Sequence, residues 1–157
     1  MALQERRVVV TGASAISPMG HDWPSIRAHL RSGRNAVRRM SEWDVYAGLN
    51  TKLAAPAQAF ELPDHYNRKT TRSMGRVALM AVRATELALQ GAQLAGHPVL
   101  RSGRTGVAYG SSSGCHAATG EFVRMMREFN THGITANTYL KMMSHTAPVN
   151  IGVFFGL

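Results

Sequence analysis

Cys115 and His116 are the first pair in this sequence whose residue types could do chemistry. A cysteine thiolate beside an imidazole base makes a nucleophile, and His145 offers a second imidazole further on. Adjacency argues against the pair, because neighbours on a helix or strand point apart and leave His116 a poor base for Cys115. Cys115, the one cysteine in 157 residues, therefore reads as loop or pocket packing, the usual behaviour of a free thiol. The seven histidines show none of the common metal-ligand spacings, so no metal is expected.

Thr11-Gly12-Ala13-Ser14, directly after Val8-Val9-Val10, would do a different chemistry if it cradled a pyrophosphate. That role needs glycines where the backbone meets the phosphates and where the helix opens. Ile16 and Pro18 stand there, blocking the approach and removing a donor, and no Tyr-x-x-x-Lys pair follows. No cofactor is expected.

A third kind of chemistry is electrostatic. Eighteen Lys and Arg against nine Asp and Glu give a net charge of +9, which implies an acidic partner or a solvated basic surface. The arginines fall in ones and twos and aromatics are only 7%, whereas a nucleic-acid groove interleaves aromatics with a continuous basic stripe. A solvated surface is thus preferred to nucleic-acid binding. Arg68, Lys69, Arg72 and Arg76 differ from the rest because they crowd the first turns of a predicted helix. The helix dipole disfavours cations there by about 0.3–1 kcal/mol each. Such a cluster reads either as a face for an acidic partner or as four solvated side chains.

The elements that must position these groups follow from periodicity and punctuation. Val8–Val10 reads as a buried strand of a parallel sheet, and Arg104–Tyr109 as a second one that runs into the small-residue loop Gly110–Gly114. Between them, Trp23–Leu30 predicts a helix capped by Asp22, with Pro24 in its first turn and Ser32-Gly33 at its end. Asn35–Pro63 predicts a long connection with one short strand near Thr51–Ala54. Asn67–Leu94 predicts the longest helix, with Met74, Val77, Ala78, Ala81, Ala84, Leu87 and Ala88 on a wide apolar face. Two strands joined through it suggest a right-handed crossover. Glu121–Phe129 predicts a short helix with Phe122, Met125, Met126 and Phe129 inward, and Tyr139–Leu157 is apolar throughout. The length suits one domain, no apolar run reaches the ~20 residues of a membrane span, and Met1–Glu5 has no signal-peptide core. One cysteine suits a reducing cytoplasm.

The order of these motifs carries a family resemblance. Arg7-Val8-Val9-Val10-Thr11-Gly12, Ser17-Pro18-Met19-Gly20, the Leu30-x-x-Gly33 helix end, Arg68-Lys69 before Met74, Gly106-Val107-Ala108-Tyr109-Gly110-Ser111 and Phe155-Gly156-Leu157 resemble the β-ketoacyl-acyl carrier protein synthases. The likeness is greatest to the elongating condensing enzymes, and it covers residues 1–157 as the N-terminal portion of such an enzyme. It implies an α/β, thiolase-like layered αβαβα fold, of which this chain is an incomplete part, acting as a dimer. The implied reaction is a decarboxylative Claisen condensation of acyl and malonyl groups in fatty acid or polyketide synthesis. Its nucleophilic cysteine would follow shortly after Gly156-Leu157, and its two histidines and lysine would lie further on, so none of the catalytic residues is expected in this chain.

The resemblance also places binding residues. Ser113 matches a loop position that closes over the acyl pocket, and Thr138 and Tyr139 match the segment that reaches across the dimer to line the partner's pocket. Arg68, Lys69 and Arg72 match a dock for the acidic carrier protein, whose second basic pair, expected near His132-Gly133, is absent. The implied partners are acyl carrier protein and a second subunit, as homodimer or ketosynthase heterodimer, with no nucleic acid and no membrane. Two other readings stay open: the resemblance also allows a non-catalytic partner subunit of the chain-length-factor type, and the charge allows a basic nucleic-acid or anion-binding module. The likeness further implies that residues 1–157 are ordered only with the remainder of the fold, whose strands would cover the bare sheet edges.

Overall fold

A computed structural model describes residues 7–157, so Met1–Glu5, read above for a signal peptide, lies outside the described residues. The chain divides into two compact units: Ser14–Tyr66, and Met1–Ala13 with Asn67–Leu157.

The unit Ser14–Tyr66 is built on local signals. Helix α1 spans Trp23–Arg31, and Asp22 caps it by accepting the Ser25 amide at 2.8 Å. Pro24 occupies the first turn, where its missing N–H costs nothing. The helix ends at Ser32, and Gly33 then takes φ +64°, a conformation open to glycine without strain. Ahead of it, Ser17 and Gly20 exchange backbone hydrogen bonds of 3.1 and 3.3 Å, closing a tight turn around Pro18-Met19. Its amides are therefore spent within the turn. Strands β1 (Arg38–Arg39) and β2 (Leu53–Ala54) pair antiparallel, Arg38 opposite Ala54 and Arg39 opposite Leu53. Asp44 pins this hairpin by accepting from Arg39 at 2.7 Å and lying 3.0 Å from the Lys52 ammonium. Those two cations, Arg39 first, hold its carboxyl below the ordinary range.

The other unit is helical. Helices α2 (Arg68–Thr71) and α3 (Arg76–Gly91) come first, followed by a 3-10 turn at Pro98–Arg101. Then come α4 (His116–Glu128), α5 (Ala136–Met142) and α6 (Thr146–Phe155). Helix α3 packs on α6, α5 on both α4 and α6. Met74, Ala78, Ala81, Val82, Leu100, Ala118, Ala147 and Ile151 make the core. Val82 is wholly buried, which stabilises by about 1.5–3 kcal/mol relative to leaving it in water. Glu86 is also buried and receives an ion pair from Arg83, one turn away on α3. Gly12 lies against the last turn of α3, where a Cβ would fall 2.4 Å from the Ala88 carbonyl oxygen.

Several expectations are corrected here. The single helix over Asn67–Leu94 is two helices, broken at Ser73-Met74-Gly75, where Gly75 is extended at ψ −180° and pressed against Cys115. A Cβ there would sit 2.4 Å from that residue's own. The strands expected at Val8–Val10 and Arg104–Tyr109 form no ladder; the only described sheet is the β1–β2 hairpin. A buried strand exists only where a neighbour takes its hydrogen bonds, and Val8 and Val10 stand 94% and 87% exposed. The crossover falls with them. Helix α4 starts earlier than expected, and Phe129, expected inward, closes it in the left-handed region at 96% exposure. Periodicity names the face of a helix without saying whether anything covers it; Trp23, Leu30 and Met126 are exposed for the same reason.

Helix α6 likewise leaves Val149 and Val153 exposed one turn apart. Apolar surface of this kind drives association. The 157-residue chain, purified alone, is expected to give a light-scattering mass that rises with concentration. Val8→Lys with Val10→Lys and Val153→Lys should lower that mass, and a wild-type chain that scatters as a monomer at all concentrations contradicts the expectation.

Candidate functional site

Two groups of side chains outside the core carry chemical potential. The first is the basic turn of α2. Asn67 caps it, its side-chain oxygen accepting the amides of Lys69 at 3.0 Å and Thr70 at 3.1 Å, while the Thr70 and Thr71 hydroxyls return to the Asn67 carbonyl at 2.9 Å. Such local capping is what a four-residue helix needs, since its backbone offers few bonds of its own. The cap turns Arg68, Lys69 and Arg72 outward, all exposed, with Arg76 at the start of α3 exposed beside them in sequence. Among the described residues no carboxylate pairs with Arg68, Lys69 or Arg72. Like charges gathered without counter-ions raise a positive potential that an anionic surface would relieve.

The second group surrounds Cys115. The loop before α4 is stitched to the end of α5: the Gly114 amide donates to Met142 at 3.2 Å and the Cys115 amide to Lys141 at 2.7 Å. Only glycine fits at 114, because a Cβ would lie 2.3 Å from the Lys141 carbonyl oxygen. Cys115 caps α4, half-buried, with Gly75 of the α2–α3 break against its side chain. Burial pushes its thiol pKa up, but the amides of Ala118, Arg76 and Ala117 and the charge of Lys141 outweigh burial and hold it below the usual value. The thiol thus faces amides at the starts of both α3 and α4. His116 turns elsewhere, its Nε2 lying 3.3 Å from the Ser113 hydroxyl. The cavity beside Cys115, lined by Gly75, Lys141 and Thr146 among others, holds only about 10 Å³, room for about one water and not for an acyl chain.

The binding residues expected from sequence are distributed as follows. Ser113 is exposed on the loop before α4. Thr138 is buried, and its hydroxyl completes the capping box of α5 with Thr135. Tyr139, the next residue, is exposed on the same helix. The stitching of 114–115 to 141–142 brings the Ser113 loop to the far end of the helix that carries Thr138 and Tyr139. His132-Gly133 form an exposed turn, with Gly133 at φ +85°. Among the described residues no group of three His, Cys, Asp or Glu could hold a metal ion, and no helix is long and apolar enough to cross a membrane. Sequence reasoning missed Glu86, Asn150 and the Gly75–Cys115 contact, because each depends on partners that no local pattern names.

Comparison with known proteins narrows what this arrangement serves. The family model described as "Beta-ketoacyl synthase, N-terminal domain" matches residues 5–157. The 3-oxoacyl-(acyl-carrier-protein) synthase 2 of Staphylococcus aureus (strain COL) is 32% identical over 91 residues, 58% of this chain and 22% of that protein. Nodulation protein E of Rhizobium meliloti (strain 1021) is 36% identical over 91 residues, 57% of this chain and 22% of its own. Among solved structures, a β-ketoacyl synthase from Burkholderia phymatum STM815 superposes with a TM-score of 0.90 at 47% identity, covering 98% of this chain and 38% of that one. The ishigamide ketosynthase/chain length factor superposes at 0.69 with 20% identity over 97% of this chain, which speaks to fold alone. The 91 matched residues span about a fifth of the length of these curated relatives.

The Cys115 environment yields a pH expectation. A thiol held below its ordinary pKa is thiolate at lower pH, so iodoacetamide should alkylate Cys115 with a midpoint below 9.0, the unperturbed value. Lys141→Gln removes a charge that favours the thiolate and should raise that midpoint. A midpoint at or above 9.0 in the native chain contradicts the arrangement described.

Proposed function

The chain belongs to the β-ketoacyl synthase family, whose N-terminal domain it matches over residues 5–157, and from that premise we propose that it serves decarboxylative Claisen condensation of acyl and malonyl groups in fatty acid or polyketide synthesis. Its fold is the N-terminal part of the thiolase-like fold of its structural neighbours. The observation that carries the reading is the match to a β-ketoacyl synthase at 47% identity and TM-score 0.90 over 98% of the chain.

Within that reaction the chain's own residues bind and position. Condensation needs a thiolate to accept the acyl group and donors for the developing oxyanion. Cys115 is a poor candidate for the thiolate, being half-buried beside a cavity of about 10 Å³ and without an imidazole directed at it. The nucleophile is therefore assigned to sequence beyond Leu157, and the 157 residues alone are expected to be inactive. Ser113 and Tyr139, exposed on neighbouring segments, are assigned to the acyl-chain side of the site, with Thr138 holding α5 in place beneath them. A second subunit, identical or a ketosynthase partner, is expected to complete that side. The single cysteine supports a reducing cytoplasm as the setting.

Arg68, Lys69 and Arg72 are assigned to docking of the acyl carrier protein. What supports this is their common exposure on one capped turn without carboxylate partners. Charges at the rim of an interface act mainly on association rate and its salt dependence. In the protein expressed from its full reading frame, Lys69→Glu with Arg72→Glu should slow association with carrier protein on the order of tenfold at low ionic strength, with the difference shrinking as salt rises. An unchanged apparent KM for carrier-linked substrate at low salt refutes the docking assignment.

Acyl transfer gives the second test. Incubated with a radiolabelled acyl thioester, the 157-residue chain should carry no label on Cys115. Label that disappears in Cys115→Ala would make this cysteine an acyl acceptor and overturn the placement of the nucleophile.

A further inference from the structure

The basic turn does not hold itself in place. Helix α2 has four residues, and beyond Arg72 the chain meets the body of its unit through Ser73, Met74 and Gly75. The Ser73 hydroxyl donates to Asn150 Oδ1 at 2.8 Å, a bond that spans 77 positions of sequence. Asn150 sits on α6, only 5% exposed, and its Nδ2 donates to the Thr146 carbonyl at 2.8 Å. Met74, likewise buried, donates its amide back to Thr71 at 2.8 Å and so closes α2.

An asparagine here needs a reason. The buried side of α6 is otherwise Ala147, Ile151 and the bonded Thr146, and an apolar residue at 150 would avoid desolvating an amide. Both ends of the amide are used, one on its own helix and one on Ser73. The first could be dispensed with, because helix carbonyls already accept backbone bonds. The second reaches the residue that follows Arg72.

We propose that Asn150 is a positioning residue for the basic face: through Ser73 it fixes the turn bearing Arg68, Lys69 and Arg72 to α6, so that the cations are presented as a preformed array to an acidic carrier protein. The proposal rests on the docking reading above and adds to it the residue that holds the dock. Charge and hold leave different kinetic signatures. Charge acts at a distance and governs association, whereas a preformed array saves ordering on binding and governs dissociation. Removing the hold leaves every charge in place.

The test is stopped-flow binding of a fluorescently labelled bacterial acyl carrier protein to the protein expressed from its full reading frame. Asn150→Leu should leave the association rate and its salt dependence as in wild type and speed dissociation about fivefold, the scale of one net hydrogen bond. Ser73→Ala, a milder change at a half-buried site, should do the same. The double variant should be no worse than Asn150→Leu alone, since both remove one interaction. Misfolding lowers the fraction that binds without altering how fast the bound fraction leaves, so it cannot imitate this result. Unchanged dissociation in Ser73→Ala, or additive effects in the double variant, overturns the positioning role. Lys69→Glu is the control for the premise. If it weakens binding while Ser73→Ala does not, only the positioning role fails, and if it leaves binding unchanged, the docking reading fails with it.

Discussion

Close backbone approach between α3 and the elements around its ends governs the larger unit. Gly12 meets the last turn of α3 and Gly75 at its start meets Cys115, each at a distance that a single Cβ would violate. Between those ends, Ala78 and Ala81 of α3 are buried in the unit where α3 packs on α6, which contributes Ala147. Small residues let helices come near enough for dispersion contacts and leave no room for voids, so dense packing here comes from absence of side chain as much as from its presence. Gly114 applies the same rule to the α5 end, where the Lys141 carbonyl occupies the space of its missing Cβ. These approaches decide where the functional groups go.

Breaking the chain at Ser73-Met74-Gly75 has an electrostatic consequence. Were Asn67–Leu94 one helix, Arg68, Lys69 and Arg72 would lie along a rigid rod with their repulsion added to an unfavourable dipole. Set on a separate capped turn, they are carried outward while Met74 plugs the core behind them. The local cost of clustering cations is small and exposed, and the gain is a potential available to an acidic partner.

Cys115 shows how the same packing makes a chemically distinctive group. Its depressed pKa comes from amides at the starts of α3 and α4, brought together because Gly75 permits it, and from Lys141 at the end of α5. A perturbed pKa often marks a functional site, yet structural packing perturbs titrations as well. Here the adjacent cavity is too small for a substrate and the nearby imidazole is directed at Ser113. Geometry therefore ranks above titration in judging this thiol.

What the sequence determined by itself is what neighbouring residues can decide. The bounds of α1 were legible because Asp22 caps and Gly33 turns within a few residues of the helix they delimit. The short strand Leu53–Ala54 fell inside the segment expected of it, and the order of motifs along the chain was enough to point to the family. The tertiary structure decided whatever depends on a distant partner. Val8–Val10 has the composition of a buried strand, but a strand is a relation between two chains of hydrogen bonds, and no described segment supplies the second. At the break Gly75 meets Cys115, forty positions on, and Asn150 meets Ser73, 77 positions back. Local sequence encodes propensity and capping, whose range is a turn or two; close approach, burial and cover are properties of surfaces that meet only after the chain has folded.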